Sequence, residues 1–215
     1  MSFDQTPDNA ERQPRRGRPR TGERHQRRLD VLEAAAHELV DRGYENVTML
    51  GIARRAGASK ETLYSWFGNK GGLLKDLIEQ ETTSAANAIS GALGRPGPPA
   101  TVLVEGAYAL LKRATSDTSV ALRRAAVTSP ELGRHALRLE QEKVDPIIDS
   151  YMAQLTRDGR YLVPDVGSAH RMFRSLVTAD LELRILLGQE SPTENELQAR
   201  ANTGATRFLS LIEPS

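Results

Sequence analysis

The sequence predicts an all-α protein, and three observations lead to that fold class. Apolar residues recur at helical spacing through most of the chain, as Leu32, Ala36 and Leu39 do near its start. No segment alternates between apolar and polar residues with a period of two over the length of a strand. Glycine and proline interrupt the apolar pattern at intervals of helical length, most clearly at residues 94–99, which predict a linker.

Start and stop signals predict four helices in the first 93 residues. Gly43 ends the first helix, because glycine readily adopts the left-handed conformation found just after helix C-termini. Thr48 and Ser59 are good N-caps for the helices that follow them, because their hydroxyl oxygens accept hydrogen bonds from free N–H groups. The four predicted helices cover about residues 24–43, 48–56, 60–67 and 69–93.

Five further helices are predicted beyond the linker. Pro146 lies inside the third of them, where a kink is the expected effect of a residue that lacks an N–H group. These helices cover about residues 100–116, 118–128, 131–158, 165–188 and 193–212.

Composition and pattern together divide the chain into three predicted regions. Residues 1–22 contain almost no apolar side chains and are predicted to be a disordered basic arm. Residues 23–78 are predicted to form a small N-terminal domain of short helices. Residues 79–215 are predicted to form a larger C-terminal helical domain.

The composition also excludes several classes of site. The chain has no cysteine, which excludes disulfides, thiolate metal sites and cysteine nucleophiles. Its four histidines (His25, His37, His135 and His170) are scattered and show no metal-ligand spacing, and no glycine-rich phosphate loop is present. We therefore expect no catalytic residues, no metal and no cofactor. Without a membrane-spanning run or a secretion signal, a cytoplasmic protein with no membrane partner is expected.

Charge is distributed unevenly along the chain. The net charge is only +1, yet residues 12–28 hold eight arginines and a single acid, Glu23. Positive charge concentrated at one end of a nearly neutral chain indicates a polyanionic partner for that end. The alternative is a basic terminus that is simply solvated.

Residues 48–67 have the organisation of a helix-turn-helix. Two short helices are joined by a turn at Gly57, and alanines nearby allow the helices to cross closely. Leu63 and Phe67 lie four residues apart and face one way, into a small core. The opposite face carries the polar and ring groups that reading base edges in a major groove requires. The alternative is an ordinary helical hairpin with a polar outer face.

A resemblance favours the DNA-binding interpretation. About residues 24–78 resemble the N-terminal domain of TetR-family transcriptional regulators, most specifically in the run ETLYSWFGNKGGLL. The resemblance implies a dimer that binds double-stranded DNA through the helix-turn-helix and responds to a small-molecule effector. The residues that carry it are Ala34, Ala35, Gly43, Tyr44, Thr48, Ile52, Ala53, Gly57, Thr62, Leu63, Tyr64, Phe67, Lys70, Leu73 and Leu74.

The same resemblance implies roles for individual residues. Thr48 would bind a phosphate at the start of the second helix, and Lys70 would neutralise another at the start of the fourth. Tyr64 would lie on the sugar-phosphate backbone, and Trp66 is either a DNA contact or a partly buried anchor. The residues expected to face the groove are Lys60, Glu61, Thr62 and Tyr64.

Met49, Leu50 and Gly51 follow Thr48, where the family usually has polar or acidic residues directly after the capping threonine. Leu50 stands where relatives often place a polar base contact, so it can offer only an apolar contact. Gly51 is a poor helix former inside a short helix, and no carboxylate is present to complete a capping box. The operator sequence therefore does not follow from the chain.

The arm contains a second candidate DNA-binding motif. Residues 14–20 read PRRGRPR, which resembles an AT-hook. Gly17 and Pro19 keep such a segment slim and extended, so Arg16 and Arg18 could lie along a narrow A·T-rich minor groove. The alternative is a nonspecific basic tail.

The C-terminal helices suggest assembly and effector binding. The resemblance implies that the last two long helices form a dimer interface, with Phe208 and small residues near Gly204 on one apolar stripe. The alternative is that they form the core of a monomeric bundle. The effector pocket that the family implies is assigned to Tyr108, Leu111, Tyr151, Met152 and Phe173, for each of which core packing is the alternative. The predicted function is a ligand-responsive repressor that binds a palindromic operator as a homodimer. The alternative is an architectural DNA-binding protein with little sequence specificity.

Overall fold

The computed structural model describes residues 21–157, 161–162 and 165–213, and this part of the chain is helical without any strand. The all-α prediction is therefore confirmed. The helices are α1 (Thr21–Asn46), α2 (Met49–Arg55), α3 (Lys60–Phe67), α4 (Lys70–Leu93), α5 (Pro99–Thr115), α6 (Asp117–Thr128), α7 (Pro130–Leu139), α8 (Asp145–Arg157), α9 (Val166–Thr178), α10 (Leu181–Leu186) and α11 (Glu194–Ile212).

Helices α2 and α3 begin directly after the capping residues that the sequence predicts, whereas α1 begins at Thr21, before its predicted start at about residue 24. The Thr48 hydroxyl oxygen accepts a hydrogen bond from the Gly51 N–H at 3.0 Å, and the Ser59 hydroxyl oxygen accepts one from the Thr62 N–H at 3.1 Å. Gly43 has the positive φ of 71° expected of a residue that interrupts a helix, although helical turns continue as far as Asn46. These local signals are short-range hydrogen bonds, which is why they can be recognised in sequence.

The predicted helix over residues 131–158 changes helix type shortly before Pro146. A π-helical turn, Glu140–Val144, separates α7 from α8 and ends two residues before Pro146. Proline cannot donate to the carbonyl four residues earlier, and its ring collides with that carbonyl in a regular helix. The wider π turn is a known way of relieving such a conflict, so the chain stays helical from α7 into α8.

The predicted helix over residues 165–188 is wrong, because two helices occupy that segment. Ala179 has φ 42° and ψ −124°, which no helix contains, and it separates α9 from α10. The guanidinium of Arg200 in α11 donates to the carbonyls of Val177 and Thr178 at 2.8 and 2.9 Å. These bonds satisfy the last carbonyls of α9 from another helix, so the break depends on tertiary structure that the sequence pattern does not contain.

Two hydrophobic cores organise the described residues. The N-terminal core is built from one face each of α1, α2, α3 and the first half of α4, and includes Leu39, Ile52 and Leu63. The C-terminal core is built from the second half of α4 with α5, α8, α9, α10 and α11, and includes Met152 and Phe173.

Helices α6 and α4 belong to both cores. Leu122 and Ala125 of α6 pack into the N-terminal core, together with Leu132 and Leu139 of α7, whereas Val120 of α6 packs into the C-terminal core. A boundary at residue 78 stays a prediction, and the packing around the first three helices extends well beyond it. The two cores are therefore joined by helices that are buried at both ends.

The apolar stripe of α11 lies inside its own chain, which corrects its assignment to a dimer interface. Phe208 is fully buried, and its ring meets that of Phe173 edge to face with centroids 5.3 Å apart. Gly204 permits α11 to approach α9 closely, because a Cβ there would lie 3.0 Å from the Cα of Val177. The small residues near Gly204 thus serve a helix contact within the chain, as in any closely packed helix pair.

Candidate nucleic-acid interface

Helix α3 divides cleanly into a buried and an exposed face. Leu63 and Phe67 are buried in the N-terminal core, whereas Lys60, Glu61 and Tyr64 are exposed. The eight residues of α3 make about two turns, so each face holds only a few side chains. The helix therefore presents a rigid polar surface of the size that enters a major groove.

Tyr64 is the largest exposed side chain on this surface. Its side chain is 44% exposed, and the Lys60 ammonium lies 5.6 Å from the centre of its ring. An ammonium at this distance is attracted to the ring face, which holds the two side chains together on the outside of α3. They offer a cation, a hydroxyl and an apolar ring to one ligand.

Glu61 and Thr62 are partly engaged with the start of α3. The pKa of Glu61 lies below its usual value, because its backbone N–H and the Ser59 hydroxyl both donate to its carboxylate. Thr62 is half-buried, and its hydroxyl lies 3.0 Å from the Ser59 oxygen. Both side chains are thereby positioned, and Glu61 remains the more accessible of the two.

The junction of α1 and α2 explains the glycine that departs from the family pattern. A Cβ at Gly51 would lie 3.2 Å from the Thr48 hydroxyl oxygen and 3.5 Å from the carboxylate of Glu38. Glu38 is buried and holds Arg42 and Arg55 at N···O distances of 2.6 and 3.5 Å. Glycine at position 51 thus leaves room for the Thr48 hydroxyl that caps α2, whereas a Cβ there would only touch the buried Glu38. Thr48 and Leu50 remain exposed.

Trp66 lies at the edge of the N-terminal core. It is half-buried and meets Phe67 edge to face, with ring centroids 6.3 Å apart. Its carbonyl accepts a hydrogen bond from Arg28, which also covers the Phe67 ring and pairs with Asp76 of α4. Trp66 therefore has a packing role, and its contact with DNA stays a prediction.

Lys70 makes contacts within the chain. Its ammonium donates to the Tyr44 carbonyl at 2.9 Å and stands 4.4 Å from the centre of the Tyr44 ring. These contacts attach the start of α4 to the end of α1, and they satisfy one of the three N–H groups of the ammonium. Sequence analysis did not identify the roles of Arg28 and Tyr44, because both depend on residues at least 26 positions away.

Arg16 and Arg18 lie outside the described residues. The minor-groove assignment of the arm therefore stays a prediction.

The predicted effector residues occupy two kinds of position. Tyr108 is half-buried and lines a cavity of about 340 Å³ between α4 and α5. The other four lie in the C-terminal core and border neither this cavity nor a second one of about 640 Å³ between α8 and α9. These four side chains pack in that core, and they belong to Leu111, Tyr151, Met152 and Phe173.

Two kinds of feature are absent from the described ranges. No three His, Asp or Glu side chains are grouped closely enough to hold a metal ion. No helix among these residues has both the length and the apolar composition to cross a membrane.

Comparison with known proteins identifies the family. Residues 31–77 match the family described as bacterial regulatory proteins, tetR family. Residues 101–211, more than half of the chain, match the C-terminal domain of AefR-like transcriptional repressors. The chain belongs to the TetR family. Membership places it among DNA-binding transcriptional regulators and not among enzymes.

Two individual relatives of this TetR-family chain align with about a third of its length. The uncharacterized HTH-type regulator YdeS of Bacillus subtilis is 41% identical over 71 residues, and the activator FasR of Mycolicibacterium smegmatis is 37% identical over 70. Each alignment spans about a third of this chain and a third of the relative, 33% against 34% and 33% against 32%.

Solved structures extend the likeness to nearly the whole chain. A TetR regulator from Agrobacterium tumefaciens is 30% identical with a TM-score of 0.70, covering 88% of this chain and 96% of that one. The flavonoid-responsive regulator FrrA is 26% identical with a TM-score of 0.64, covering 88% of this chain and 98% of its own. The relationship therefore includes the C-terminal helices, where no sequence motif was recognised.

Proposed function

We propose that this TetR-family regulator is a homodimeric repressor that binds a palindromic operator and releases it when a small molecule binds. In this proposal residues 23–78 bind DNA, and residues 79–215 dimerise and bind the effector. The observation that carries it is the exposed face of α3, held on a buried core by Leu63 and Phe67. A rigid polar helix of this kind reads base edges, which an architectural protein does not need.

The DNA contacts follow from exposure and charge. Lys60, Glu61 and Tyr64 are proposed to enter the major groove, with Thr62 partly accessible beside them. The exposed hydroxyl of Thr48 is proposed to donate to a phosphate, since its role as N-cap uses the oxygen only as an acceptor. Lys70 would contribute through its remaining N–H groups.

The sign of regulation is proposed from the C-terminal domain. Residues 101–211 match a domain described as that of a transcriptional repressor. The activator FasR is similar over only a third of its length, so it bears on DNA binding more than on the sign of control. Repression is therefore the better supported assignment.

The dimer interface is proposed to lie on the outer side of α9 and α11. Phe208 cannot contribute to it, because it is buried within the chain. Met172 and Leu176 of α9 are only partly buried, and Leu211 of α11 is 62% exposed. An interface of this kind needs apolar groups at its centre and polar groups at its rim, which α11 supplies with Thr203 and Arg207.

Effector response is proposed to act through the helices that belong to both cores. A molecule bound between α4 and α5 would shift α4, whose first half also packs against α1. Coupling requires only that the effector bind better to a conformation whose recognition helices are wrongly spaced. The flavonoid-responsive relative FrrA supports a small molecule as the signal.

DNA binding is tested by footprinting the full chain on the DNA upstream of its gene. We expect a protected inverted repeat, and Tyr64→Ala should abolish that protection while leaving the melting temperature unchanged, because an exposed side chain leaves no cavity. Tyr64→Phe is the control that separates the hydroxyl from the ring. Uniform coverage of the DNA would favour the architectural alternative instead.

Dimerisation is tested by sedimentation of two matched variants. Leu211→Glu should yield monomers, because it places a charge in a proposed dry interface. Leu137→Glu on α7 starts from a similar exposure, 65% against 62%, and lies outside that interface, so it should remain dimeric. An unchanged Leu211→Glu dimer would contradict the proposed face.

A further inference from the structure

The cavity between α4 and α5 has the size and lining of a small-molecule site. Its volume of about 340 Å³ lies at the lower end of the range that ligand pockets occupy. One side is apolar, and the rest is charged or carries hydroxyl groups. Its lining residues include Ala85, Ala88, Tyr108, Glu81, Lys112 and Arg113.

The two cations on the wall are already paired. The guanidinium of Arg113 makes two hydrogen bonds to the carboxylate of Glu140, one of them 2.7 Å long, and both side chains are partly buried. Lys112 donates to Glu194 of α11 at 2.9 Å. A bidentate arginine–carboxylate pair is among the strongest side-chain pairings, so Arg113 is not free to receive an anionic ligand.

Glu81 is the charged group of the wall without such a partner. Within the described part of the chain its carboxylate makes neither a hydrogen bond nor an ion pair, although it is partly buried. Burial raises the pKa of Glu81, and the nearby charge of Arg113 only partly offsets this. The cavity thus contains a desolvated acid that a ligand cation or donor would stabilise.

Tyr108 and the alanines supply the complementary apolar surface. Tyr108 is half-buried on α5, and Ala85 and Ala88 face it from α4. An aromatic ring attracts a cation as well as an apolar body, and small alanines leave space for one. The acid and the ring therefore favour the same class of ligand.

We propose that this cavity binds a small organic cation, an ammonium on a compact aromatic or aliphatic body, with Glu81 as its counter-ion and Tyr108 as its apolar wall. The proposal deepens the effector response proposed above and rests on it only for the effect on DNA binding. Ligand binding itself is measured separately.

The test uses three probes that differ in the charge on a similar phenyl body. These are 2-phenylethylamine, the neutral 2-phenylethanol and the anion 3-phenylpropanoate, titrated calorimetrically into the full chain at neutral pH. We expect the amine to bind about tenfold tighter than the alcohol, as a charge-assisted hydrogen bond of ~1.5 kcal/mol provides. The anion should bind more weakly than either.

Variants assign the preference to the cavity. Glu81→Gln should reduce the amine to the affinity of the alcohol, and Tyr108→Ala should weaken both. The control is Glu79→Gln on the same helix, because Glu79 pairs with Lys143 and does not line the cavity. Thermal unfolding of each variant verifies that it is folded, and Glu81→Ala, which also removes the charge, replaces Glu81→Gln if that variant is not.

Each result decides the proposal. Preference for the anion, equal affinity for amine and alcohol, no binding of any probe, or an amine preference that survives Glu81→Gln would each overturn it. If the amine binds through Glu81 but leaves operator affinity unchanged, the ligand class stands and the proposed effector response fails. Loss of operator binding on adding the amine, absent in Glu81→Gln, supports both.

Discussion

Helices α3 and α11 each have an apolar face in the sequence, and the two faces differ in how reliably their partner can be predicted. In α3 the predicted inward face, Leu63 and Phe67, is buried in the N-terminal core. In α11 the stripe that suggested a subunit interface is buried in its own chain, with Phe208 against Phe173. The apolar pattern identified the buried face in both helices but the partner in only one.

Length and context explain the difference. Helix α3 has eight residues and follows α2 after a short turn, so its apolar side chains can reach only one small core. Helix α11 has nineteen residues and reaches across α5 and α9, so its stripe had at least two possible partners. Periodicity tells which side of a helix is buried, but it does not tell what covers that side.

The largest expected effect tests the burial of α11. Phe208→Ala should lower the free energy of unfolding by about 3–5 kcal/mol, because a fully buried ring leaves a cavity. Urea denaturation at fixed protein concentration measures it. Leu137→Ala, at an exposed apolar site, should change the same quantity by less than about 0.5 kcal/mol. If Phe208→Ala weakened dimerisation but left the free energy of unfolding unchanged, Phe208 would belong to the dimer interface.

The second prediction concerns Glu140, a partly buried acid paired with arginines of two other helices. Glu140 pairs with Arg113 of α5 and with Arg174 of α9 at 3.0 Å, so Glu140→Gln should cost about 3 kcal/mol at pH 7. Burial alone would raise the pKa of Glu140, but the bonds and charges of the two arginines outweigh it and lower that pKa.

Because that pKa is lower in the folded chain than its usual 4.5, the stabilisation is complete above this value and is lost as the pH falls through the folded-state pKa. The difference between wild type and Glu140→Gln should therefore be constant from pH 7 to about pH 5 and shrink below that. Denaturation at several pH values measures it. A difference that grows towards acid pH would contradict the assignment.

The third prediction tests how closely α11 packs against α9 at Gly204. Gly204→Ala should destabilise the chain by about 1–3 kcal/mol, because the added methyl group meets the Val177 Cα and the Leu176 carbonyl oxygen, 3.0 and 3.2 Å away. Gly91→Ala in α4 has open space and should instead stabilise by about 0.5–1 kcal/mol. Thermal melts compare the two, and a stabilising Gly204→Ala would mean that the helices can separate without cost.

The smallest effect lies at the start of α3. Ser59→Ala removes the N-cap and should cost about 1 kcal/mol, with a parallel loss of operator affinity because Glu61 and Thr62 lose the hydroxyl that positions them. Ser59→Asp keeps a capping oxygen and should retain stability. Melting temperature and operator affinity are measured together, and an unchanged affinity in Ser59→Ala would show that the recognition face does not depend on its cap.

Much of the candidate DNA surface can be predicted from the sequence, but the contacts that its side chains make with other helices cannot. The spacing around Leu63 and Phe67 predicts which side of α3 is exposed, and Thr48 and Ser59 are recognisable as caps. The hydrogen bond from Lys70 of α4 to the Tyr44 carbonyl of α1, and the pairing of Arg55 of α2 with Glu38 of α1, are contacts between separate helices. No periodicity within one helix contains them.

The sequence by itself determined the helical fold class, the approximate positions of the first four helices, the N-caps of α2 and α3 and the exposed face of α3, because each depends on residues within about two helical turns. The tertiary structure decided the break at Ala179, where Arg200 of another helix takes up the carbonyls that end α9. It also decided the cover over the α11 stripe and the isolation of Glu81 from the paired arginine beside it. These features are contacts between residues that are far apart in the sequence, and only the packed chain brings those residues together.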